Sequence, residues 1–337
     1  MKFTLGASDI DFNSLNSNQK VNHFKNSTCI TTKVGLVQTL QDCPFFGNYH
    51  SDMNDFFPRS YNLSYPTDLQ TFLDDYHCLH AITSLKRLVE IHHSSEGTRI
   101  NVGVFKTLLR VIKKCRYSVH DSFIDSAGFV EEQCFTSTQS KIIQNSDEWL
   151  YQVVSNDDFE NYDCPVKELK SLLGGKKNNT ETDDEKKNSR RRKKILKTMC
   201  QLIEVDQSHI DLAKMILRTS CDSKSLQSTI NGIHSDNIWI LKPTGKSRGR
   251  GISVVQSLSG IVKHILTESD SRSTLSKWVI QKYIENPLTI SKRKFDIRQW
   301  VMVTGKYCIV LEMKCNMLQS SGTQQLFFDG RVKIGIH

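Results

Sequence analysis

NIWILKPTGKSRGRGISVV, residues 237–255, is the stretch whose division decides the fold. An apolar run ends at Pro243, a loop of glycines and cations follows, and Ile252, Val254 and Val255 begin a second apolar run. Gly245-Lys246-Ser247 echoes a Walker A loop, but G-x-x-x-x-G-K-[ST] would need a glycine where Ile240 stands. The dinucleotide fingerprint G-x-G-x-x-G fails as well. Gly249 and Gly251 are followed by Val254, in a β-branched segment unsuited to opening a helix. What remains is strand, basic loop, strand. Such a hairpin can hold phosphate, because Gly245, Gly249 and Gly251 let the backbone approach an oxyanion while Lys242, Lys246, Arg248 and Arg250 bring positive charge. The plainer alternative is an exposed hairpin with solubilising cations.

Two further stretches lie just downstream. KWVIQKYIENPLTI reads as a strand from Trp278 to Ile284 that stops before Pro287. A strand end of this kind can offer backbone N–H and C=O groups to a flat heterocycle, or it can be an ordinary core strand. In KRKFDIRQWVMV the strand period puts Lys294, Asp296, Arg298 and Trp300 on one face, with Phe295, Ile297 and Gln299 on the other. Charges projecting together beside an apolar face need partners, because an unpartnered buried charge is costly. A salt-bridge ladder would satisfy them. So would a ribose held by Lys294 and Asp296, with a phosphate or carboxylate facing Arg298, whose planar guanidinium suits such groups.

Taken in order, Trp239-Ile-Leu-Lys-Pro with Ser247-Arg-Gly-Arg-Gly-Ile, then Gln281-Lys-Tyr-Ile, then Lys294-Phe-Asp-Ile-Arg resemble the ATP-grasp ligases, and more closely the tubulin tyrosine ligase-like family. Upstream, FFPRSYNLSYPTDLQTFLDDY (residues 56–76) is similar to the segment before the catalytic region in the tubulin glycylase branch. The resemblance covers roughly residues 55–305. It implies an α+β fold of ATP-grasp type, with two α+β lobes around a nucleotide cleft. It also implies ATP-dependent amide ligation. A glutamate carboxylate in an acidic tubulin tail attacks the γ-phosphate to give an acyl phosphate, and the amine of glycine then displaces phosphate. On the matching positions, Lys242, Arg248 and Gly249 would meet the ATP phosphates. Gln281, Lys282, Tyr283 and Ile284 would frame the adenine, and Lys294 and Asp296, with Phe295 between them, would hold the ribose. Arg298 would face the reacting phosphate and Arg248 the acidic target, as the catalytic pair. ATP and Mg²⁺ are the implied cofactors, and glycine and tubulin or microtubules the implied partners, at the cytoskeleton and the cilium or flagellar axoneme. A tubulin polyglutamylase of the same family and a non-catalytic microtubule binder are the competing readings.

The rest of the chain frames this set. With 337 residues, 38% of them hydrophobic, it can bury a core and make roughly two domains. The net charge of +9 favours a polyanionic partner. Met1 runs directly into polar sequence, and no window approaches a membrane span, so the expected compartment is cytosol or nucleus with no membrane partner. The 10 cysteines occur singly, without a C-x-x-C pair, and read as reduced thiols. Residues 1–45 have no sustained period and read as a poorly ordered N-terminal segment. Residues 46–235 read as an N-terminal α/β part, and 236–337 as a partial nucleotide-binding region.

Within the middle part, Leu69, Phe72, Leu73, Tyr76, Leu79, Ile82, Leu85 and Val89 predict an amphipathic helix with Thr67 as N-cap and Asp74-Asp75 toward its polar side. Further helical spacing begins near Val104 and again over residues 195–217. Residues 174–197 are charge-blocked and read as an exposed insertion. Their run Arg190-Arg191-Arg192-Lys193-Lys194 lacks interleaved aromatics, which disfavours nucleic acid and leaves a solvated loop or a dock for acidic tails. Beyond Gly305, Glu312 and Asp329 are isolated and form no Mg²⁺ ligand set. The second lobe is therefore expected to be incomplete, and the 337-residue chain alone to bind Mg·ATP poorly and give little or no turnover.

Overall fold

The computed structural model describes residue 4, 9–42 except 26, 53, 56–94, 97–114, 143–151, 201–221, 236–267 except 248, 278–303 except 286, 288 and 291, and 308–317, 324–328 and 333–334. The chain forms two compact units, Met1–Ile284 and Glu285–His337. The insertion at 174–197 lies outside the described residues.

The first unit is built on a four-stranded antiparallel sheet of β1 (Ser60–Asn62), β4 (Trp239–Pro243), β5 (Ser253–Val255) and β6 (Trp278–Lys282), in the order β1-β6-β4-β5. The strand–loop–strand reading of 237–255 is thus a hairpin, with Trp239 opposite Val255. Because β6 pairs with β1 on one side and β4 on the other, residues 236–284 belong to the same body as the segment before the long helix.

That helix, α3 (Pro66–Ser94), packs under the sheet. Its first residue is Pro66, one position before the expected cap at Thr67. A proline fits the first helical position, where its missing N–H has no intrahelical partner to lose. The first turn closes from Leu69 N–H to the carbonyl of Tyr65 at 3.0 Å, and Asp68 accepts the Asn62 N–H at 2.9 Å, tying the helix start to β1. The apolar period of α3 becomes core: Leu69, Phe72, Leu73, Tyr76, Leu79, Ile82 and Leu85 are buried, Val89 is partly buried against them, and Leu88, outside the expected set, is buried as well. Each such side chain contributes about 1.5–3 kcal/mol by leaving water. Phe72 meets Trp239 edge-on at 5.0 Å, joining helix to sheet.

Asp75 departs from the amphipathic pattern. It is buried, with Oδ1 2.9 Å from Nη1 of Arg59, and its Oδ2 accepts the Tyr61 hydroxyl at 2.8 Å. The physical reason is partnership across sequence, which helical periodicity cannot reveal.

Helix α3 also packs against α4 (Val102–Lys114) and the helix Gln207–Cys221. Helix α4 starts where Asn101 Oδ1 accepts the Gly103 N–H at 3.1 Å, an Asx cap. The expected helical run over 195–217 is divided: Leu202–Glu204 is a strand, β3, paired with β2 (Arg99–Asn101), and the helix begins at Gln207. Asp206 ends the strand segment by taking the Ser208 hydroxyl at 2.5 Å and the His209 N–H at 3.0 Å. The N-terminal residues, aperiodic in sequence, contain the helix α2 (Lys33–Asp42), whose Val37 is buried.

The second unit is an antiparallel sheet of β7 (Thr289–Ile290), β8 (Arg293–Val303), β9 (Cys308–Met317) and β10 (Gln324–Phe328), with β11 (Lys333–Ile334) also paired to β9. The Lys-x-Asp-x-Arg stretch is a strand, as its period indicated. Asp296 stands opposite Asn316 and Arg298 opposite Lys314.

Candidate functional site

Strand β4 alternates as a half-buried strand should: Trp239, Leu241 and Pro243 face the core, while Ile240 and Lys242 are only partly buried. On that second face a polar chain crosses three strands. Lys242 Nζ donates to Gln281 Oε1 at 2.5 Å, Gln281 Nε2 donates to Ser60 Oγ at 2.7 Å, and the Ser60 hydroxyl donates to the Pro58 carbonyl at 2.7 Å. Gln281 is 8% exposed, so its amide is fixed by this chain and spans from the edge strand β1 to the lysine. Lys242 is thereby oriented at the mouth of the hairpin.

The hairpin loop runs on from Pro243. Gly245, Lys246, Ser247, Gly249 and Arg250 are exposed. Gly249 and Gly251 take φ of 74° and 71°, the left-handed region that glycine enters without a Cβ penalty. Within the loop, Arg250 N–H meets the Ser247 carbonyl at 3.3 Å and Ile252 N–H the Gly249 carbonyl at 3.4 Å. Arg248 lies outside the described residues.

Lys282 sits differently from its neighbour. Strand alternation sends it to the face opposite Gln281, where it is 1% exposed. Its ammonium donates to the carbonyls of Ile238 at 2.9 Å and Tyr283 at 3.4 Å, and lies 5.9 Å from the centre of the Trp239 ring. A buried lysine needs such acceptors, and here they are backbone groups at the ends of β4 and β6. Gln281 and Lys282 therefore do not meet on one face. Tyr283 and Ile284, both half-buried, follow β6, with Tyr283 N–H bonded to the Ile238 carbonyl at 3.1 Å.

Asn237 fixes how the chain enters β4. At φ 57° it uses a conformation that asparagine tolerates better than most residues. Its Nδ2 donates to the Tyr76 carbonyl at 3.1 Å, and its Oδ1 accepts Trp239 Nε1–H at 2.8 Å. This residue and the Arg59–Asp75 pair hold the site's sheet against α3. Neither was marked by the sequence patterns. In the second unit, Lys294, Phe295, Asp296 and Arg298 lie along β8, with Lys294 exposed. Among the described residues no group of three or more His, Cys, Asp or Glu is placed to hold a metal ion.

The sheet thus carries an oriented lysine beside an exposed loop of glycines and cations. Residues 169–310 match the Tubulin-tyrosine ligase family, and the described residues mix helices with antiparallel sheets. That family uses ATP and Mg²⁺ in general. The chain is 30% identical over 330 residues to "Tubulin glycylase 3D" of Tetrahymena thermophila, covering 90% of this chain and 30% of that protein. It is 33% identical over 312 residues to "Tubulin glycylase 3C" of the same organism, covering 90% and 28%. To "Tubulin monoglycylase TTLL3" of Mus musculus it is 28% identical over 306 residues, covering 88% and 29%. The chain spans about 30% of the length of these relatives.

Proposed function

We propose that the chain is the nucleotide-binding part of an ATP-dependent ligase that joins glycine to glutamate side chains in the acidic C-terminal tails of tubulin. The observation that carries this reading is the Lys242–Gln281–Ser60 chain beside the loop of Gly249 and Gly251, within a family domain whose named relatives are glycylases.

In this reading ATP activates the carboxylate by phosphorylation, and the residues of the chain supply charge and alignment. Lys242, Arg248 and the Gly249 backbone neutralise phosphate oxygens. Gln281, Tyr283 and Ile284 border the adenine, with Lys282 shaping the strand end from beneath through its carbonyl contacts. For the second unit, the proposal assigns the ribose to Lys294 and Asp296 beside Phe295, and the reacting end to Arg298. The described residues hold no cluster of three or more His, Cys, Asp or Glu placed for Mg²⁺. The charge of +9 draws an acidic tail toward the protein. No described helix is long and apolar enough to cross a membrane. A place on the microtubule cytoskeleton, including cilia, follows from the substrate.

The test offers the protein tubulin, Mg·ATP and isotope-labelled glycine or glutamate in parallel, over long incubations, with mass spectrometry of the tails. ATP-dependent glycine label on tail glutamates supports the reading. Label from glutamate instead would make it a polyglutamylase. Microtubule cosedimentation with no transfer and no ATP binding would leave a binding protein.

A further inference from the structure

The basic loop of the hairpin spans residues 244–252, between β4 and β5. Its residues from Gly245 to Arg250 that are described are exposed, and a Cβ added at Gly245 or Gly249 would meet nothing within 4 Å. Its own hydrogen bonds are long, at 3.3 Å and 3.4 Å between backbone groups and 3.4 Å from Arg250 Nε to the Ser247 carbonyl. Two shorter bonds arrive from a distant segment. Lys33 Nζ, at the start of α2, donates to the Pro243 carbonyl at 2.9 Å and to the Lys246 carbonyl at 2.6 Å. These acceptors are the last residue of β4 and the third residue of the loop beyond it. A bond from a charged donor is stronger than one between neutral groups.

The other end of α2 is anchored too. Gln41 Nε2 donates to the Ser60 carbonyl at 3.2 Å, on the residue whose hydroxyl accepts from Gln281. One helix therefore touches the loop through Lys33 and the polar chain of the sheet through Gln41.

We propose that Lys33 is a positioning residue that braces the basic loop in its anion-receiving form, making the N-terminal helix part of the nucleotide site. The inference rests on the proposed nucleotide reading for its ligand, but the brace itself is observable without one. An ordered loop loses less conformational freedom when phosphate arrives, so removing the brace weakens binding without removing any group that touches the nucleotide.

The experiment compares the full chain with Lys33→Met and Lys33→Arg by hydrogen exchange without nucleotide, then by ATP titration. Amides of residues 244–252 should exchange about tenfold faster in Lys33→Met, while those of α4 and β2 keep wild-type rates. Lys33→Arg, which retains a charged donor, should restore much of the protection. ATP affinity should fall about tenfold in Lys33→Met, the equivalent of about 1.4 kcal/mol. Unchanged exchange over 244–252 overturns the brace, as does a change spread equally over α4 and β2. If the wild-type chain binds no ATP while the exchange pattern holds, the brace stands and the nucleotide reading falls.

Discussion

Replacing Asp75 with alanine removes one half of an ion pair that lies inside the first unit. The Arg59 and Asp75 side chains are 8% and 7% exposed, which decides between two very different magnitudes. An exposed pair contributes about 0–1 kcal/mol, whereas removing one partner of a buried pair costs about 3–5 kcal/mol, because the remaining charge loses its compensation. The Tyr61 hydroxyl also loses its acceptor at 2.8 Å. At about 2–4 °C per kcal/mol for a body of this size, the melting temperature should fall by roughly 10 °C. The assay is reversible urea unfolding followed by tryptophan fluorescence, since Trp239 and Trp278 lie in the same sheet. The double variant Arg59→Met with Asp75→Leu should recover much of the loss, because apolar side chains can replace a buried pair at little net cost. An Asp75→Ala effect below about 1 kcal/mol, or a double variant whose effects simply add, would refute the reasoning.

Three further outcomes follow from local geometry. Gly249→Ala meets no steric obstacle but must adopt φ 74°, so it should strain the loop by about 1–2 kcal/mol, lower the melting temperature by a few degrees and weaken ATP binding; unaltered affinity would contradict it. Asn237→Gly keeps the backbone at φ 57° accessible but leaves Trp239 Nε1 without its acceptor, costing about 1–3 kcal/mol, and Asn237→Ala should cost about 1 kcal/mol more through backbone strain. Equal losses in urea unfolding would remove the strain argument. Asp206 is held at about 2, below 3.8, chiefly by the Ser208 hydroxyl and then by the His209 N–H. A depressed carboxylate stabilises the fold above 3.8 and loses that contribution as pH falls through about 2, so stability should decline more steeply with acid in wild type than in Asp206→Asn, and parallel curves would contradict it.

The hairpin, the strand after it and the Lys-x-Asp-x-Arg strand were legible because each carries a local signal: a proline stop, a glycine loop, or a period of two. What sequence could not offer was contact across distance. Ser60–Asn62 is three residues long, too short to show alternation, yet it closes the sheet edge beside β6. Asp75 follows Asp74 in a helix and looks solvated until Arg59 is brought against it. Lys282 adjoins Gln281 in a motif that suggests a shared task, and strand alternation sends the two to opposite faces. Lys33 lies in a stretch without periodicity, and its meaning comes wholly from carbonyls 210 and 213 residues away. Local patterns report which element forms, while the partners of a buried or bridging charge are set by topology.

The central claim, that the Lys242 hairpin and the end of β6 receive ATP, is tested most directly by photolabelling with 8-azido-ATP and mapping the labelled peptides. Label is expected near Gln281 to Ile284 that excess ATP suppresses, with about tenfold more ATP needed for suppression in a folded Lys242→Met variant, as loss of one charge-assisted phosphate contact implies. Label that ATP does not suppress, or that Lys242→Met leaves unchanged, would contradict it.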